Sequence, residues 1–322
     1  MQKWILKALV QKTISLLPAK HALNYWFQKN ITKGVVLSGD YFIDRLIHAR
    51  IHLNAFKEDY GHNNIPSSLE IGTGWYPVVP VSLYLAGCKS LYTTDLSRLL
   101  TRENLLTTLR KFTDPANAAS IAEYLPVQEA RMERLKSILK ADNSLENMLA
   151  EMNLHYWTGD ARQLPLDSGS IAFITSNNTF EHIEPAVLEA ILQEFSRGGD
   201  EVNLMSHFID MSDHFSHFDP SITNYHFLHY SKAAWRLIDN SIQPQNRLRL
   251  PAYKAMYERT GLHIRQEDSR PGSIEQLLSE KPHADFMNGA LPEIAKTHSY
   301  LVSVRGLAAA VKPEKLKMLT GN

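Results

Sequence analysis

Along the chain, short apolar runs trade places with stretches whose apolar residues recur every three or four positions. From about residue 67 the exchange is regular. "SLEIG" (68–72) reads as a strand and "PVVPVSLYLAG" (77–87) as a helix ended by Gly87. "SLYTTD" (90–95) is a second strand, followed by a mostly helical region to about residue 150. "LHYWTGD" (154–160) and "SIAFITS" (170–176) are the third and fourth strands. "PAVLEAILQEF" (185–195) has helical spacing and stops before Gly198-Gly199, and "EVNLMSHFI" (201–209) is the fifth strand. "GLHIRQE" (261–267) and "SYLVSVR" (299–305) are the last two, placed as an antiparallel edge hairpin. Strands that alternate with helices predict a largely parallel sheet with helices on both faces.

Residues 1–66 read differently, as a helical extension with a loop near Gly34 and a break at "NNIPSS". Residues 67–322 form the main domain, with a substrate cap around 210–260. In the first helix Ile5, Leu6, Leu9, Val10, Ile14 and Leu17 share one face, and Lys3 and Lys7 lie opposite. That face is expected to pack on the domain. The alternative is a basic amphipathic helix resting on a membrane surface. Lys7 and Lys12 interrupt the apolar run, so it has neither signal-peptide form nor spanning length.

Composition narrows the partners. The chain has 322 residues, 44% of them hydrophobic, enough for a sizeable core. Thirty-four basic residues balance 34 acidic ones, so no overall charge draws the chain to nucleic acid. Cys88 is the single cysteine, which rules out an internal disulfide and a thiolate metal cage. A reducing, cytoplasmic location is expected.

The chemistry is concentrated at "EIGTGW". A dinucleotide fold wants G-x-G-x-x-G, but after Gly72 and Gly74 the third position is Pro77, behind bulky Trp75 and Tyr76. That argues against a pyrophosphate ligand. The acidic residues favour an adenosine that carries an amino acid. Glu70, in the first strand, suits a cationic amino group, directly or through water. Asp95 ends the second strand and can accept both ribose hydroxyls. Asp160 ends the third and suits an adenine amino group, with the Ala161 amide beside it for a ring nitrogen.

With these motifs in order, residues 67–210 resemble the class I S-adenosylmethionine-dependent methyltransferases. "LEIGTGW" matches their glycine motif, "YTTDL" the ribose acid, and "TGDARQLPLDSGSIAFITSNNTFEHI" the adenine segment and the motif after the fourth strand. The resemblance implies a Rossmann-like doubly wound α/β fold with a seven-stranded, mostly parallel sheet. It also implies S-adenosylmethionine as cofactor, held by Glu70, Gly72, Gly74, Asp95, Asp160 and Ala161, with Asn177 near the methionine part.

Methyl transfer to a hydroxyl needs a base at the ends of strands four and five. "MSHFIDMSDHFSHFDPSITNYHFLHYS" (205–231) is rich in histidine and aspartate. His214 or His217 is the expected base, with Asp213 as orienting carboxylate and His182 as the third candidate. Asp213, His214 and His217 lack an established ligand spacing, so no metal is expected. Tyr230, Arg247 and Arg249 are expected to line a cap suited to a polyhydroxylated or anionic acceptor, and Trp235 to be core. The predicted activity is methylation of an oxygen, less favourably a nitrogen, of a small molecule or glycan. The alternatives are another use of the same sulfonium, such as cyclisation or aminopropyl transfer, and a non-catalytic cofactor-binding module. "SNNTFEHI" lacks the Asn-Pro-Pro-aromatic pattern of nucleic-acid amino-methylating enzymes.

Overall fold

A computed structural model describes residues 2–17 and 36–305. The loop expected near Gly34 lies outside them. Helix α1 spans Lys3–Ser15 and α2 Gly39–Tyr60. Ser38 caps α2 by accepting from the Tyr41 amide at 3.1 Å, and Gly61, at φ 78°, turns the chain out of it. There follow β1 (Ser67–Ile71), α3 (Val78–Leu85), β2 (Ser90–Asp95), α4 (Arg102–Thr113), α5 (Ala118–Tyr124), α6 (Glu129–Lys140), α7 (Leu145–Ala150) and β3 (Leu154–Thr158). The second half carries β4 (Ile171–Asn177), α8 (Pro185–Gly198), β5 (Gly199–Asp210), α9 (Lys232–Ile238), α10 (Leu250–Arg259), β6 (Leu262–Arg270), α11 (Ile274–Ser279), α12 (Leu291–Ala295) and β7 (His298–Arg305).

The strands form one seven-stranded sheet in the order β3-β2-β1-β4-β5-β7-β6. β1 to β5 run parallel, and β7 is antiparallel to both β5 and β6. This is the expected Rossmann-like doubly wound α/β sheet, mostly parallel. The last two strands do pair antiparallel, but β7 is inserted beside β5, so only β6 is an edge. β4 is buried at every position, as a central parallel strand should be.

One core lies between the sheet and α2 to α7. Phe42, Leu46, Leu53 and Phe56 of α2 share it with Val81 and Leu85 of α3 and Leu109 of α4. Each such side chain contributes about 1.5–3 kcal/mol on burial. The segment ahead of β1 is thus packed into the same core as the sheet. A second core joins the other face to α8 and α10, through Leu188, Leu192, Tyr253 and Tyr257.

A third, smaller core holds the cap, residues 211–249. Phe215, Tyr225, Phe227 and Trp235 pack there with Leu277, Ile294 and two residues of α1. Here the expected face of α1 needs correction. Trp4, Ala8 and Gln11 are the buried positions, and Ile5, Leu6, Leu9 and Leu17 are exposed. The ring of Trp4 decides the orientation: it lies against Phe215 and Tyr230, and its amide donates to Asp219 at 3.0 Å. Lys7 bends back over the rings of Phe215 and Phe218, and Lys12 donates to the carbonyls of Arg236 and Asp239. No described helix is long and apolar enough to cross a membrane.

Candidate functional site

The glycine turn after β1 has the backbone its sequence demands. Gly72 and Gly74 have φ of 83° and 65°, in the left-handed region that side chains disfavour. A Cβ on Gly72 would stand 2.2 Å from Thr179 Oγ1. Thr179 itself donates to the carbonyl of Ile71 or Asn177, so it is tied in place. The Gly72 amide donates to the Thr94 carbonyl at 2.9 Å, and the Gly74 amide donates to Asp95 at 3.0 Å. The turn after β1 is thereby locked to the end of β2.

Beyond the carboxyl ends of β1, β2 and β3 opens a cavity of about 510 Å³. Its walls include Gly72, Gly74, Asp95, Asp160 and Ala161, and on the other side Asn178, Thr179 and His182. Ser241 to Pro244 of the cap close it from above. Burial raises the Asp95 carboxyl, while the amides of Gly74, Ser97 and Leu96 oppose that rise. Asp160 is half exposed and gripped by its neighbour Arg162, which holds its carboxyl below the usual range.

Glu70 and Asn177, expected to touch the cofactor, sit one layer behind the wall. Glu70 is buried, and desolvation pushes its carboxyl up to about 8. Asn177 Nδ2 lies 3.5 Å from it. On its far side Asn177 Oδ1 accepts from His52 Nε2 at 3.0 Å, and His52 Nδ1 accepts from Ser206 Oγ at 2.7 Å. Burial takes His52 down to about 3, which keeps it neutral, and the Asn177 carbonyl fixes the Nε2–H tautomer. Arg45, about two helical turns earlier on α2, donates to Asn178 Oδ1 at 2.8 Å on the cavity wall. Sequence reasoning missed this contribution of α2. The spacing Arg45, His48, His52 on one helical face was the available signal.

A histidine cluster lies where the ends of β4 and β5 meet the cap. His182 is the member on the cavity wall. Its Nδ1 donates to the Pro244 carbonyl at 2.7 Å, leaving Nε2 as the lone-pair atom. His214 is the next ring, with centroids 5.0 Å apart, and His217 stacks on His214 at 5.4 Å. Neither His214 nor His217 lines the cavity. The carboxylate that faces these rings is Asp210 rather than the expected Asp213. Asp210 Oδ2 is 3.4 Å from His214 Nε2 and 4.0 Å from His217 Nε2, and Oδ1 is 3.3 Å from His298 Nε2. Burial alone would raise Asp210, but His214 and His298 hold it well below the carboxylate range. Asp213 points elsewhere. It is buried, accepts from the Phe215 amide at 2.8 Å, and is pushed up to about 6 by burial.

The expected acceptor-binding residues also lie apart from the cavity. Arg247 is buried between Trp235 and Phe286 and donates to the carbonyls of Phe227 and Tyr230. Arg249 is buried and donates to the carbonyls of Met211, Ile294 and Lys296. Their donors are spent on backbone carbonyls of the cap and of the stretch around α12. Tyr230 packs in the third core, its hydroxyl 3.1 Å from His226 Nε2. Trp235 is core, as expected.

The sheet order, with a glycine-lined cleft at its switch point, defines the class, a Rossmann-like α/β domain. Comparison with solved structures finds similar chains of the same general layout. A Pyrococcus horikoshii OT3 protein is 12% identical, with 87% of this chain and 97% of that one covered and a TM-score of 0.46. A geranyl diphosphate methyltransferase in complex with S-adenosylmethionine is 10% identical, with 84% and 93% covered and a TM-score of 0.42. A chain from the complex of the Haloferax volcanii Trm112 methyltransferase activator is 15% identical, with 82% and 97% covered and a TM-score of 0.40. Likeness at this level assigns no activity or ligand to this chain. The chain matches no protein-family model and no curated protein.

Proposed function

We propose that the protein binds S-adenosylmethionine in the 510 Å³ cavity and transfers its methyl group to an oxygen of a small molecule or glycan. The observation that carries this reading is the pairing of Asp95 and Asp160 on one cavity wall around the Gly72–Gly74 turn. An anionic end at β2 suits a ribose diol and disfavours a phosphate. The volume is within the roughly 300–1,000 Å³ typical of small-molecule sites. Asp160 exchanges Arg162 for the adenine amino group, a small cost for an exposed pair. Glu70 and Asn177 hold the cofactor's amino group through water, and Arg45 supplies positive charge for its carboxylate.

The acceptor enters at the His182 end, between the β4 turn and the cap. Its oxygen attacks the methyl carbon in line, the sulfonium departs as a thioether, and the hydroxyl proton passes to the histidine cluster. His217, two rings beyond the cavity wall, is the proposed base and takes the proton through water. Ser212 Oγ donates to Asp210 at 2.6 Å, so it accepts from His217 Nε2–H at 2.9 Å, and the free lone pair is on His217 Nδ1.

Titration calorimetry with S-adenosylmethionine and with its demethylated product tests the cofactor assignment. Asp95→Ala removes two charge-assisted hydrogen bonds of about 1.5–3 kcal/mol each, so binding should weaken by at least about 100-fold. Unchanged affinity in that variant refutes the assignment.

A further inference from the structure

We propose that Glu181, His182 and His214 bind one divalent transition-metal cation at the inner end of the cavity. One oxygen of Glu181 and one nitrogen of each histidine lie within 4.8 Å of one another. Donors each about 2.1 Å from a common ion stand about 3–4 Å apart, so closing the donor pairs by at most about 1–2 Å completes the set.

Two features separate this cluster from a hydrogen-bonded histidine network. Glu181 is 2% exposed, and neither of its carboxylate oxygens has a hydrogen-bond partner. Its own amide, that of Asp210 and the Asn178 side chain lie near without meeting bonding geometry. His214 Nε2 is likewise buried and makes no hydrogen bond, its contact with Asp210 being 3.4 Å long. An orphaned buried carboxylate is costly, and a cation is the partner that both sets of lone pairs accept.

The surroundings match what metal-binding histidines require. The Pro244 carbonyl takes the Nδ1 proton of His182 and so aims its Nε2 lone pair. Asp210, fixed at Oδ1 by Ser212, adds a second negative charge beside His214. Two imidazoles with one carboxylate favour first-row transition ions over magnesium or calcium. His182 also faces the cavity, so such an ion borders the acceptor's place. Polarising the acceptor oxygen there rests on the methyl-transfer reading; the ion site does not.

The full chain, stripped with chelator, is dialysed against Co²⁺, and bound cobalt and its visible absorption are recorded. One ion per chain is expected, with Glu181→Gln and His214→Gln each weakening binding at least 100-fold and His217→Gln retaining it. Glu181→Gln removes a buried charge and is expected to fold; its melting temperature should not respond to Co²⁺, whereas the wild type's should rise. No binding to the wild type, or binding and a melting shift that survive Glu181→Gln, overturns the proposal. Calorimetry with S-adenosylmethionine on the same samples reads the cofactor assignment separately, and it should be unchanged in Glu181→Gln.

Discussion

Glu70→Gln should make the protein more stable, increasingly so as the pH rises. Glu70 lies beneath the glycine turn, with desolvation the main influence on it and Asn177, Arg45 and Thr93 only partly compensating. Its carboxyl titrates near 4.5 in the unfolded chain and at about 8 in the folded one. The folded state therefore keeps a proton that the unfolded state releases. Stability from this group is fully present below pH 4.5 and is lost as pH climbs through about 8. The slope is about 1.4 kcal/mol per pH unit, or about 4 kcal/mol between pH 5 and 8. Water penetration on ionisation reduces this to about 2–4 kcal/mol. Glutamine keeps the shape and the Asn177 contact but has no proton to lose. Urea unfolding of both proteins at pH 5, 6, 7 and 8 should give a stability difference that widens steadily in favour of the variant. A difference that stays flat over that range refutes the assignment of a neutral, desolvated Glu70.

Other substitutions probe the turn, the cap and α1. Gly72→Ala puts a Cβ against Thr179 at a φ of 83° and should cost about 2–4 kcal/mol in urea unfolding. Adding Thr179→Ala should recover the clash but not the backbone strain, so only part of the loss returns. Arg249→Met leaves three carbonyls without their donor and should destabilise by about 3 kcal/mol or more, read as a lower urea midpoint. Leu9→Ser changes an exposed position on α1 and should alter the midpoint by no more than about 0.5 kcal/mol.

Legibility in the sequence followed the locality of the signal. Strand β1, the turn and Asp95 were readable because one stretch of backbone and two positive-φ glycines specify them. The antiparallel pairing of β6 with β7 was readable too, but not the insertion of β7 beside β5, since register between distant strands leaves no local pattern. The face of α1 misled because six aliphatic residues outnumber one tryptophan. Burial of the single large ring, with its amide on Asp219, outweighed the count. Arg247 and Arg249 looked like ligand-binding residues because sequence records a charge and not its partners. Here carbonyls of the cap and of the stretch around α12 took the guanidinium donors. Asp210 went unassigned in favour of Asp213 because adjacency along the chain is not adjacency in space: at the end of β5 the two carboxylates leave the backbone in different directions.

Gln11 on α1 donates to Gln243 at 3.1 Å, and Gln243 is part of the cavity's ceiling. Helix α1 thus fastens a ceiling built from residues more than two hundred positions further along the chain. The cavity is complete only when these two distant stretches meet. Removing or displacing α1 would release that ceiling while leaving the sheet beneath intact.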